Sequence, residues 1–156
     1  MSLTNEEINY RGRFMSIFID AEYAIGDIVS TLLVGNNALK VNILEFITPG
    51  IMLDKKINLF SELLKKKIPH LYERNKAGFD TVRKLIPLRN NFAHKRIEVE
   101  IDKRLLHFMS IDNSKIRKQT FRFDDLGEKY ELLKNIVIGL RLLHNEIISL
   151  NLGSPY

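Results

Sequence analysis

Arg89-Asn90-Asn91-Phe92-Ala93-His94-Lys95-Arg96-Ile97-Glu98-Val99-Glu100-Ile101-Asp102 is where this chain changes its period. Before Lys95 the apolar residues recur at helical intervals, with Phe79, Val82, Ile86 and Ala93 on one stripe. From Ile97 they alternate with acids, a period of two that belongs to strands. The spacing predicts a helix from His70 to about Lys95, kinked at Pro87 because proline lacks the donor and crowds the preceding turn. Beyond it, Leu105 to Ile111 and Ile116 to Phe123 flank Asp112-Asn113-Ser114-Lys115 and read as a small β-hairpin.

The rest of the chain reads as helices. Thr4-Asn5-Glu6-Glu7 has the form of a capping box and opens a long first helix. Gly35-Asn36 ends it, since both tolerate left-handed geometry. Asn37 to Ile47 reads as a short helix stopped by Thr48-Pro49-Gly50, and Leu53 to Lys67 as a third helix broken by Pro69. Asp125 opens the last helix, whose stripe is Leu126, Tyr130, Leu133, Val137, Leu140, His144 and Ile147, and Gly153 and Pro155 finish it. The expected fold is all-α: a four-to-five-helix bundle with one β-hairpin inserted before the last helix, forming a single domain over 1–156.

Composition sets the boundaries. The chain is 45% hydrophobic and 28% charged, ordinary for a globular protein, and long enough for a real core. It has no cysteine, which excludes disulfides, thiolate metal sites and a cysteine nucleophile. The polar, acidic start and the lack of a membrane-length apolar run point to a cytoplasmic protein with no membrane association. The net charge of +5 is uneven: the window from Arg83 to Arg122 holds eleven basic residues against four acids, +7, leaving −2 elsewhere. A polyanion is the natural partner of such a window, although a merely solvated positive face has the same composition.

Arg89 and His94 supply a permanent planar cation and a proton-exchanging imidazole. With Ile86 at zero on an ideal helical wheel, Arg89 falls at about −60°, Asn90 at about 40° and His94 at about 80°, while Leu88, Asn91 and Lys95 point the other way. All three polar groups then border the apolar stripe. Arg89 and His94 are about 140° apart, so either the helix ends between them, or they line two sides of a cleft, or two copies share one groove. Two structural roles compete: Arg89 as a strut paired with Asp20 or Glu22, and His94 as a cation at a helix C-terminus.

The hexapeptide Arg89–His94, late in the helix before the last and in an all-helical context, resembles the Arg-polar-(x)n-His signature of the HEPN superfamily, the higher eukaryotes and prokaryotes nucleotide-binding domains. The resemblance implies a compact helical bundle that dimerises. It further implies a metal-independent endoribonuclease of toxin–antitoxin or phage-defence type, with RNA as substrate, no cofactor and a possible cognate antitoxin protein as partner. It makes Arg89 and His94 the catalytic pair with Asn90 beside them, and Asp20 and Glu22 of the first helix the supporting acids. Lys95, Arg96, Arg117, Lys118 and Arg122 are the expected RNA-backbone contacts. Family members without an active motif bind RNA or nucleotides without cleaving, and a purely dimeric interaction module is the third reading.

Other constellations are weaker. His144 on an apolar stripe reads as a satisfied core histidine, and His70 and His107 have no evident partners in the sequence. His94 and Glu98 have the spacing of a helical metal pair, but the period of two beginning at Ile97 breaks it, so no metal site is expected. No phosphate-binding glycine loop and no nucleophile elbow is present.

Overall fold

The computed structural model of the chain describes residues 5–35 and 38–150. Its order is α1 (Asn5–Val34), α2 (Leu39–Asn42), a π-helical turn (Ile43–Ile47), a 3₁₀ turn (Thr48–Gly50), α3 (Leu53–Lys67), α4 (Pro69–His94), β1 (Arg96–Glu100), β2 (Leu105–Asp112), β3 (Lys115–Arg122) and α5 (Phe123–Ser149). The protein is mostly helical, as its periodicity predicts. Thr4 of the capping box, Asn36 and Asn37 of the first link, and Gly153 and Pro155 lie outside the described residues. Gly35 takes the left-handed conformation at φ 76°, and its amide donates to Thr31 O at 2.8 Å, closing α1 as expected.

Two readings are corrected. The hairpin is two-thirds of a three-stranded antiparallel sheet in the order β1-β2-β3, because the alternating run from Arg96 to Glu100 pairs with β2. Ile101 falls in the following turn and is exposed. α4 runs from Pro69 to His94 with Pro87 inside it, close to the expected bounds, and Pro69 stands in the first turn, where a missing amide costs nothing. The expected second helix is one α turn followed by π and 3₁₀ turns, and none of its residues from Leu39 to Ile47 is buried. The β2–β3 turn places Asn113 and Ser114 at φ 48° and 63°, the double left-handed geometry of a two-residue hairpin loop.

The chain gathers into two compact units. The first is Met1–Ile19 with Pro87–Lys134, the second Asp20–Ile86 with Asn135–Tyr156. In the first, Phe92 is fully buried, stacked on Phe14 with ring centroids 4.5 Å apart and edge-on to Phe108 at 4.8 Å. Phe108 meets Phe121 edge-on, so the inner sheet face of Ile97, Leu106 and Phe108 closes on the C-terminal part of α4. In the second, α1, α3, α4 and α5 bury Ile25, Ile28, Ile57, Phe60, Leu64, Leu71, Phe79 and Leu140. Lys56 is almost completely buried there and donates to Glu22 Oε1 at 2.9 Å, which pairs the buried ammonium with a half-buried carboxylate.

His144, also in the second unit, is held below the usual imidazole range, first by burial and then by the Lys40 ammonium. Its Nε2 lies 2.9 Å from Thr31 Oγ1, so the histidine is hydrogen-bonded as expected. Below a pH of about 6.5 the unfolded chain takes up a proton here that the folded chain resists. Stability is therefore expected to fall as pH drops below that value, until the folded form protonates too. Urea midpoints between pH 7.5 and 5 check this: His144→Gln should flatten the decline in that window.

Candidate functional site

Arg89, Asn90 and His94 occupy the last two turns of α4, in the first unit. The helix does not end between Arg89 and His94; His94 is its last residue. Around this end the burial differs from a single-stripe wheel. In the second unit α4 buries Phe79, Val82 and Leu85, whereas beyond Pro87 it buries Leu88, Asn91 and Phe92. On an ideal wheel the buried face turns by roughly 125°, and Phe92 there packs on Phe108 of the sheet. Asn91, expected to face outward, is buried and donates through Nδ2 to Gln119 Oε1 at 2.9 Å. Asn90 and His94, expected to border the core, are exposed and share the opposite face one turn apart, while Arg89 is half-buried.

The polar contacts are few. Arg89 Nη1 donates to Asn90 Oδ1 at 3.4 Å, and among the described residues the guanidinium has no carboxylate. The His94 ring has no hydrogen-bond or ion-pair partner among the described residues. Asp20 and Glu22 belong to the second unit, where Glu22 is committed to Lys56 and Asp20 lines a shallow cleft with Tyr23, Asp27, Arg141 and His144. The structure therefore brings Arg89, Asn90 and His94 onto one helix end and gives the two acids other surroundings.

The basic candidates divide. Lys95 is half-buried next to His94. Arg96 pairs with Glu98 at 3.3 Å, Lys118 lies 3.4 Å from Glu100, and Arg117 pairs with Asp112 at 2.6 Å. Arg122 has no partner among the described residues. The strand register puts Arg96, Lys118 and Arg122 on the outer face of the sheet, and Arg117 on the other. Exposed ion pairs of this kind are weak, so phosphates can exchange for the carboxylates.

Two residues were not found by motif. Arg11 of α1 donates through Nη2 to Lys95 O at 2.6 Å, capping the carbonyl end of α4 directly after His94. Its Nε is buried without a partner. His107, without an evident partner in the sequence, is almost fully buried between Thr120 and Glu100. Register was the missing signal: Glu98, His107 and Thr120 form one row across the three strands, with Glu100 one step along the outer face.

No family model matches the chain, and no curated protein or solved structure matches it. Among the described residues, no helix is long and apolar enough to cross a membrane.

Proposed function

We propose that the protein is a metal-independent endoribonuclease of the HEPN type, acting as a homodimer in a toxin or phage-defence role. The observation that carries this reading is a solvent-facing His94 beside Asn90, with no partner among the described residues, and an Arg89 guanidinium that no carboxylate of those residues neutralises. A strut needs an ion pair, and Arg89 has none among the described residues.

In this reading the RNA 2′-hydroxyl attacks the adjacent phosphorus and the 5′-oxygen leaves. His94 takes or gives the proton. Arg89 stabilises charge building on the phosphoryl oxygens. Asn90 orients a phosphate oxygen or the imidazole. Because α4 is continuous, Arg89 and His94 of one chain diverge by about 140°. In this reading the arginine of one copy therefore works with the histidine of the other, in a groove between two copies of α4. Lys95 and Arg122 are the cations most readily available to the RNA backbone.

The test is purified protein with RNA or DNA of the same sequence in EDTA. RNA should be cut to 2′,3′-cyclic phosphate ends, and DNA, lacking the nucleophile, should survive. A strict requirement for Mg²⁺, or cleavage of both polymers alike, would refute the mechanism.

A further inference from the structure

The outer face of the sheet carries a second arrangement, independent of Arg89 and His94. His107 Nε2 lies 2.8 Å from Glu100 Oε1, and His107 Nδ1 lies 2.9 Å from Thr120 Oγ1. Glu100 is held down to about 2, first by its hydrogen bond with Lys103, then by those with His107 and Lys118. At neutral pH it is thus a carboxylate and can only accept. When the His107 ring is in its neutral form, Nε2 carries the proton that this carboxylate accepts and Nδ1 is bare. In that form Thr120 donates its hydroxyl proton to Nδ1. This is the resting state of a hydroxyl nucleophile, its base and the group that orients the base. His107 is 3% exposed, so its ring is fixed, whereas Thr120 faces solvent.

The surroundings select a substrate charge. Lys118 and Arg122 lie two residues either side of Thr120 and on the same face. Lys118 shares Glu100 with Lys103, and Arg122 is unpartnered among the described residues. The excess positive charge beside the hydroxyl favours an anionic reactant.

We propose that Thr120 is an activated hydroxyl that accepts an acyl group from an activated ester carrying a negative charge. Thr120 Oγ1 bonds to the acyl carbon and passes its proton to His107 Nδ1. The bond from that carbon to the leaving aryl oxygen breaks, and the aryloxide departs with the electron pair. The product is a Thr120 ester. Arg122 attracts the anionic tail.

The experiment uses the full chain with mono-4-nitrophenyl glutarate, which is anionic, and 4-nitrophenyl butyrate, which is neutral. Release of nitrophenolate and peptide mapping by mass spectrometry follow the reaction. The expected result is one equivalent of nitrophenolate and one glutaryl group on Thr120. At low salt the anionic ester should react about fivefold faster than the neutral one, a preference that high salt or Arg122→Gln removes. Thr120→Val should abolish the adduct, and His107→Gln should slow it at least about tenfold. Label found only on lysines of the wild-type protein overturns the proposal, even should a variant misfold. So does an unchanged rate in folded Thr120→Val or His107→Gln.

Discussion

Replacing His94 with alanine is expected to lower single-turnover RNA cleavage by about 10²–10⁴, the range for loss of a general acid or base. The fold should hardly notice. The ring is exposed and has no partner among the described residues. A surface change of this kind shifts stability by less than about 0.5 kcal/mol, a melting shift of roughly 2 °C at this size. Equal amounts of Arg89→Ala and His94→Ala chains then test whether two copies share the groove. Half of the random dimers are mixed, and one of the two sites in each mixed dimer has both groups intact. About a quarter of wild-type activity should return if arginine and histidine come from different chains, and none if they come from the same chain. Full cleavage by His94→Ala alone would end the nuclease reading.

Phe92→Ala is expected to have the largest effect on stability, a loss of about 3–5 kcal/mol. Phe92 is completely buried between Phe14 and Phe108, with ring contacts at 4.5 and 4.8 Å. Truncation removes the aromatic bridge that joins the end of α4 to the sheet and leaves a void those rings cannot fill. Urea unfolding followed by circular dichroism measures it. Cleavage should fall with the folded fraction, in contrast to His94→Ala, where activity and stability separate. A loss below about 1 kcal/mol would show that the site collapses to fill the gap.

The elements were legible where one physical signal dominates. The stripe from Leu126 to Ile147 on α5 is buried almost as its spacing requires, with Leu126, Leu133, Val137, Leu140 and Ile147 inside. The left-handed glycine at the end of α1 and the turn at Asn113-Ser114 were readable because few residues adopt those angles. The inner side of α4 was not legible beyond Pro87. A wheel assumes one buried stripe along the whole helix, but beyond Pro87 the buried residues are Leu88, Asn91 and Phe92, with Asn91 bonded to Gln119 and Phe92 packed on Phe108 of the sheet. The third strand was visible as alternation in Ile97 and Val99, yet alternation does not say which strand will pair with it. For the site, the Arg89–His94 hexapeptide located the helix end. The cap from Arg11, 84 positions away, and the contacts of His107 depend on register and tertiary approach, which no local spacing encodes.

β3 is an outer margin of the sheet, and along it stand Lys115, Arg117, Lys118 and Arg122 with no acid between them. A second molecule adding there strand to strand would bring these cations within about 4.8 Å of its backbone, and an antiparallel approach would face like charge with like. Pairing of two copies through β3 is thereby discouraged, so edge-to-edge dimers of the sheet should form only where salt screens the repulsion.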